Sequence, residues 1–251
     1  MTGCGKYLEK IREGAAALLF PRRCPVCGDI VQPEGALICR ACVGKLSPVT
    51  QPTCRRCGKE VFGEHMEYCF DCTRHPRSFD SVAALFNYNE AAQASMAAIK
   101  YKNRREYLDF YAAAMDYRFR TTVENWHADL LIPVPVHPSR RRSRGFNQAE
   151  ELAVRLGRCW NIPVDPELLI RNKKTAPQRK LDPAERLRNL QQAFAIAPRR
   201  ERMGGAMPHC VILVDDIYTT GSTLEACTRV LRTAGIQEVH GVVICIGGGR
   251  S

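Results

Sequence analysis

VILVDDIYTTGST, residues Val211 to Thr223, joins two signals that seldom meet. His209 to Val214 reads as buried β-strand, and it runs into two adjacent carboxylates, Asp215 and Asp216. Adjacent carboxylates repel and a packed core gains nothing from them, so the pair belongs to something bound. The pattern from Thr223 to Ala234 is helical and stops at Gly235. Strand, loop and helix in this order bring the loop to the carboxyl edge of a sheet, where open α/β folds take their ligands. There Thr219, Thr220, Gly221, Ser222 and Thr223 offer hydroxyls and closely spaced backbone N–H groups at a helix N-terminus, which favours an anion. The two carboxylates suit vicinal hydroxyls, Mg²⁺, or both. A phosphate and a diol a few residues apart describe a ribose 5-phosphate.

Outward from this stretch, strand and helix patterns alternate. Ser81 to Tyr88, Asp129 to Val136, Leu168 to Arg171 and Val239 to Ile246 read as further strands. Ala91 to about Arg120 reads as helix with an interruption near Asn103, and Asn147 to Trp160 as another helix. This alternation predicts an α/β domain over 78–251, a mostly parallel sheet with helices on both faces. Two basic segments flank the chemistry. HPSRRRSRGFNQ follows the strand ending in PVPV and reads as a basic turn, with Arg140 and Arg141 available to an anion. Asn172 to Leu190 reads as a long loop, partly helical, that carries the polar and basic residues Gln178, Arg179, Lys180 and Arg186.

Ahead of that domain, eight of the thirteen cysteines form four CxxC pairs: Cys24/Cys27, Cys39/Cys42, Cys54/Cys57 and Cys69/Cys72. One pair can place both sulfurs on a tetrahedral ion, and two pairs complete a Cys₄ zinc site, so two structural Zn²⁺ are expected. Eleven residues separate every successive pair, and loop length alone leaves sequential and cross-braced connectivity both open. CPVCG and CRRCG carry a glycine that CRAC and CFDC lack. The repeating unit is therefore about 30 residues, used twice, which favours two sequential ribbons over 21–77. A module of this size buries too little apolar surface to fold alone, and the metal supplies the difference. Cys4, Cys159, Cys210, Cys227 and Cys245 read as inert thiols. Residues 1–20 hold one short helix, Tyr7 to Phe20.

The 251 residues carry a formal charge of +11. Two Cys₄ zinc sites would lower it to about +7. The excess is concentrated from Pro138 to Arg202, with sixteen Lys and Arg against seven Asp and Glu, where a polyanion would bind. Aromatic residues for base stacking are sparse there: Phe146, Trp160 and Phe194. No apolar run reaches the ~20 residues of a membrane span. The short apolar segment Gly14 to Phe20 has no small-residue cleavage site after it, which argues against a signal peptide and for the cytoplasm.

The apolar strand, acid pair and Thr/Gly/Ser loop closely resemble the PRPP-binding motif of type I phosphoribosyltransferases, where PRPP is 5-phosphoribosyl 1-pyrophosphate. Paired CxxC ribbons, then IKYKN, PVPVHPSRRRSRGFNQ, APQRKLDPAERLRNLQQAF and VDDIYTTGST, extend the resemblance from about Phe20 to Ile246 and narrow it to the ComF family of competence proteins. The resemblance implies that Asp215 and Asp216 hold the ribose hydroxyls and that Thr219 to Thr223 wrap the 5-phosphate. It adds Lys100, Tyr101, Arg144, Gly145, Asn147 and Gln148 to the site, with Lys100 and Tyr101 as a pyrophosphate contact. It also implies Mg²⁺ with PRPP, a phosphoribosyl transfer with an unnamed acceptor, and a link to incoming single-stranded DNA or to a competence-machinery protein such as a helicase. Two other classes compete with a transferase: a non-enzymatic DNA-handling protein that senses PRPP or phosphate, and a zinc scaffold with an idle pocket.

Overall fold

The computed structural model describes residues 21–33, 35–63, 66–171, 193–198 and 207–248. The segments Tyr7 to Phe20 and Asn172 to Leu190 lie wholly outside them.

One five-stranded sheet organises the chain. Its strands are β1 (Ser47–Pro48), β2 (Ser81–Asn87), β3 (Leu130–Pro133), β6 (Cys210–Tyr218) and β7 (Glu238–Ile246), in the order β1-β2-β7-β6-β3. β1 pairs antiparallel with β2, and the other three pairings are parallel. β4 (Leu169–Arg171) and β5 (Phe194–Ile196) form a separate antiparallel pair. Central strands of such a sheet are buried on both faces and read as unbroken apolar runs. Val211 to Val214 in β6 and Val242 to Cys245 in β7 are fully buried in this way.

α2 (Glu90–Lys102), α3 (Tyr107–Trp126) and α5 (Gln148–Trp160) cover one face, while α6 (Ser222–Thr233) covers the other; the short α1 (Phe70–Arg74) lies in the zinc region. Local chemistry sets the helix ends. The Asn89 and Asn147 side chains accept from the N–H groups of Ala92 and Ala149, capping α2 and α5. Asn103 closes α2 in the left-handed region at φ 54°, which is the interruption expected there and divides the segment into two helices.

Three expectations are corrected here. β6 does not end at Val214 but carries Asp215 and Asp216 within the ladder to Tyr218, because its backbone keeps pairing with β7 whatever the side chains. β3 is shorter than Asp129 to Val136, ending at Pro133. HPSRRRSRGFNQ is not a basic turn: Pro138–Arg144 is a helix, α4, with His137 as N-cap and Gly145 left-handed after it.

The cysteines group as Cys24, Cys27, Cys39 and Cys42, and as Cys54, Cys57, Cys69 and Cys72, each set with its sulfurs within 4.8 Å of one another. This is the sequential arrangement. The two knuckles repeat bond for bond: Cys24 N–H donates to the Asp29 carbonyl and Cys54 N–H to that of Lys59, while Gly28 and Gly58 turn in the left-handed region. The first ribbon has its own small core, with Val31 beside its cysteines, and meets α3 through the Arg22–Asp109 ion pair at 2.8 Å. The second shares the main core. Val49, Cys54, Cys57, Val61 and Cys72 pack with Phe79, Val82 and Tyr218. Gly58 sits so close to β2 that a Cβ there would strike the Val82 carbonyl. The two ribbons thus flank the β1–β2 edge of the sheet.

Candidate functional site

The carboxyl ends of β3 and β6 open into a cleft of about 990 Å³. Asp215 and Asp216 form part of its lining, joined by Thr223 from the start of α6. Lys100 and Tyr101 reach it from the last turn of α2, and Arg140 and Arg144 from α4. Alternation along a strand sends the two aspartates to opposite faces of the sheet. Asp216 receives Gln148 Nε2 at 3.2 Å and forms an ion pair with Lys100 Nζ. Asp215 Oδ1 accepts the N–H of Asp216 at 2.9 Å.

Their environments push the pair apart. Burial, then the charge of Asp216, holds the Asp215 carboxyl well above the ordinary carboxylate range. Burial also acts against the Asp216 carboxylate, but Lys100 outweighs it and holds Asp216 below that range. Proton binding is thus favoured on Asp215 and disfavoured on Asp216, whose carboxylate is compensated by a side chain 116 positions earlier in the chain.

The phosphate loop is short. β6 ends at Tyr218 and α6 begins at Ser222. Gly221 caps the helix from the left-handed region at φ 75° and makes no side-chain cap bond, so the first N–H groups of α6 are left for a ligand. A Cβ at Gly221 would collide with the Tyr218 ring. Thr219 and Thr220 are exposed, and Thr220 Oγ1 lies 2.9 Å from Ser222 Oγ. Arg77, just beyond the second ribbon, donates to the Thr220 carbonyl at 2.9 Å.

The other expected residues divide. Asn147 lies beneath the cleft, its amide donating to the Val134 carbonyl at 3.1 Å, and Gly145 terminates α4. Arg141 is not among the cleft residues and pairs with Glu150 at 3.1 Å. Gln178, Arg179, Lys180 and Arg186 fall outside the described residues. Sequence reasoning missed Arg105 and Arg171, both of which line the cleft. Arg105 lies over the Phe146 ring at 4.2 Å, and burial, with Arg140 nearby, pushes Arg171 down. Arg105 had a signal, two residues past IKYKN; Arg171, at the end of a three-residue strand, had none. Lys100, Arg105, Arg140, Arg144 and Arg171 thus share the cleft with two carboxylates, an excess of positive charge that favours anions.

Both Cys₄ groups fit zinc by donor chemistry: four thiols each, with Cys57 and Cys69 sulfurs 3.5 Å apart and three of each four residues buried. The acid pair offers oxygen donors alone, which fits Mg²⁺.

Comparison with known proteins agrees with this division of the chain. A family model described as a double zinc ribbon domain matches residues 15–73, and one described as a phosphoribosyl transferase domain matches residues 207–250. Competence protein F of Haemophilus influenzae is 29% identical over 88% of this chain and 95% of its own length. Competence protein ComFC of Bacillus subtilis is 28% identical over 79% of each chain. The DNA utilization protein YhgH of Escherichia coli K12 is 27% identical over 83% of this chain and 89% of its own. A double Cys₄ ribbon leading into a phosphoribosyltransferase-like sheet, with relatives aligned across both parts, makes this chain similar over most of its length to the ComF-type competence and DNA utilization proteins.

Proposed function

We propose that the cleft binds PRPP with Mg²⁺ and transfers its phosphoribosyl group with release of pyrophosphate, in a cytoplasmic protein that serves the use of incoming DNA. The observation that carries this reading is the acid pair held at the end of β6, between an uncapped helix N-terminus and five cations. On this reading the N–H groups and hydroxyls of Thr219 to Thr223 take the 5-phosphate, and Asp215 and Asp216 take the ribose 2- and 3-hydroxyls. Lys100, Arg140 and Arg144, with Arg105 and Arg171, take the pyrophosphate. Mg²⁺, when bound, supplies charge neutralisation for the departing pyrophosphate. Displacement at C1 breaks the bond to pyrophosphate through an oxocarbenium-like transition state, as in glycoside chemistry. The chain's own contribution is then to position the sugar and stabilise the leaving charge. The link to DNA comes from the names of the relatives, competence and DNA utilization proteins.

Calorimetric titration of PRPP with Mg²⁺ into the zinc-loaded chain tests this. Saturable, Mg²⁺-dependent binding that disappears in the Asp215→Asn/Asp216→Asn double variant is the expected outcome. No binding by the folded wild type would overturn it.

One observation favours a second reading, direct contact with single-stranded DNA. Tyr101 is 78% exposed at the cleft, with the Arg144 guanidinium 5.6 Å from its ring centroid, a platform on which a base could stack. Under this reading affinity for an oligonucleotide falls steeply with salt and drops in Tyr101→Ala, while PRPP affinity does not follow Tyr101.

A further inference from the structure

Three metal-ligating side chains meet at the amino-terminal edge of the sheet, where neither the ribbons nor the cleft uses them. Cys210 opens β6, and Glu238 and His240 are the first and third residues of β7. The register pairs Cys210 with Glu238 and Ile212 with His240. Because side chains alternate along a strand, all three project from one face. One ligand atom from each, the Cys210 sulfur, a His240 ring nitrogen and a Glu238 carboxylate oxygen, lies within 4.8 Å of the others. His240 Nε2 is 3.7 Å from Glu238 Oε2.

The imidazole is held in place for this role. Its Nδ1 lies 2.9 Å from the hydroxyl of Ser81, its register partner on β2. Its ring stacks on Trp126 at 4.4 Å and 3°. In the tautomer whose Nδ1–H donates to Ser81, Nε2 on the Glu238 side is free to ligate. Metal-bound histidines are oriented by such a bond from the other ring nitrogen. The surroundings are negative. Asp129 accepts the N–H groups of His209 and Cys210, and Asp80 accepts that of Val239 while pairing with Arg232 at 2.6 Å. Cys210 and His240 are buried, whereas the Glu238 side chain is 49% exposed, so the group opens to solvent on one side only. The Cys210 sulfur contacts the Trp126 carbonyl at 3.2 Å, a weak bond that coordination would replace.

We infer that Cys210, His240 and Glu238 form a third metal site, for a borderline divalent transition ion and zinc above all. Thiolate and imidazole select against Mg²⁺ and Ca²⁺, which take oxygen ligands. Three protein ligands leave one tetrahedral position for water, unlike the closed Cys₄ ribbons. The site lies about 17 Å along β6 from Asp215, at ~3.3 Å per residue, so metal there and ligand in the cleft are separable measurements. Cys210 is then a ligand and not the inert thiol its isolation in the sequence suggests.

The test is zinc per chain after equilibrating the full-length protein with buffered free Zn²⁺. Wild type is expected to hold three equivalents, and Cys210→Ser and His240→Gln two each. Ser81→Ala keeps all three ligands and should weaken the third equivalent by about 10- to 100-fold. Glu238→Gln is at the surface and does not threaten folding; it should weaken the third equivalent at least tenfold. With Co²⁺ in place of Zn²⁺, the third equivalent should show the charge-transfer absorption of one thiolate instead of four. Saturation of wild type at two equivalents would overturn the inference. So would a third equivalent of unchanged affinity in Cys210→Ser, His240→Gln or Glu238→Gln.

Discussion

Asp215 and Asp216 are neighbours whose carboxyl groups are shifted in opposite directions, and that difference makes stability depend on pH in two opposed ways. Asp215 is held above the ordinary carboxylate range, so the folded chain binds its proton more tightly than the unfolded chain. Its contribution is complete below the ordinary range and is lost as pH rises through the folded value. Asp216 is held below that range; its contribution is present above the ordinary value and is lost as pH falls through the depressed one. Asp215→Asn removes the first dependence. Without ligand this variant should melt above wild type at about pH 8, by on the order of 1 kcal/mol of stability, with the gap closing toward about pH 4. Thermal unfolding across pH measures it, and an equal gap at both ends would contradict the assignment. The carboxylates themselves were legible in the sequence, since nothing else explains two acids after a buried strand. Their compensation was not. No local pattern joins Lys100 or Gln148 to Asp216, because the ion pair and the amide bond exist only once α2 and α5 pack against the sheet.

The phosphate loop is built by β6, α6 and the segment leaving the second ribbon, and its shape rests on Gly221 and Tyr218. Gly221→Ala introduces a left-handed non-glycine residue, costing about 1–2 kcal/mol, and drives a methyl group into the Tyr218 ring. PRPP affinity should fall at least tenfold by calorimetry. Arg77→Ala frees the Thr220 carbonyl without touching the cleft and should weaken PRPP by a few-fold. Equal affinity to wild type would show that the loop holds itself. The strand–loop–helix order was readable because its apolar run, glycine and hydroxyl cluster are contiguous. Where β6 ends was not: the acids break the hydrophobic pattern, yet the parallel ladder to β7 continues through backbone groups. α4 was misread as a turn although Pro138 and Gly145 stand at its two ends, since seven residues rich in arginine carry no apolar period. β5 is three residues beside the basic segment, and its pairing with β4 is a tertiary fact.

Across the whole molecule, the two ribbons are equal in sequence and unequal in place. Their thirty-residue repeat predicted which cysteines share an ion, and the structure groups them so. It could not predict that the first ribbon keeps a small cluster of its own, touching the helix-covered core through Val26 and Ile38, while the second lends Val49, Val61 and three cysteines to the core on the other face. Removing a ligand should therefore have unequal effects. Cys57→Ser, fully buried beside Tyr218, should lower the melting temperature of the entire chain and weaken PRPP with it. Cys27→Ser, exposed in the first ribbon, should lose one zinc with a smaller shift in melting and little change in PRPP affinity. Matching losses in the two variants would mean that the ribbons couple more tightly than their packing shows. The position of β1 has a further consequence. Ser47 and Pro48 pair with the outer side of β2, the Val49 N–H adds one bond to the Leu85 carbonyl, and this short cover is strung between the two metal modules. An unguarded flat strand recruits other chains. Removing zinc should thus bare this edge, and aggregation followed by light scattering should rise as the metal is chelated.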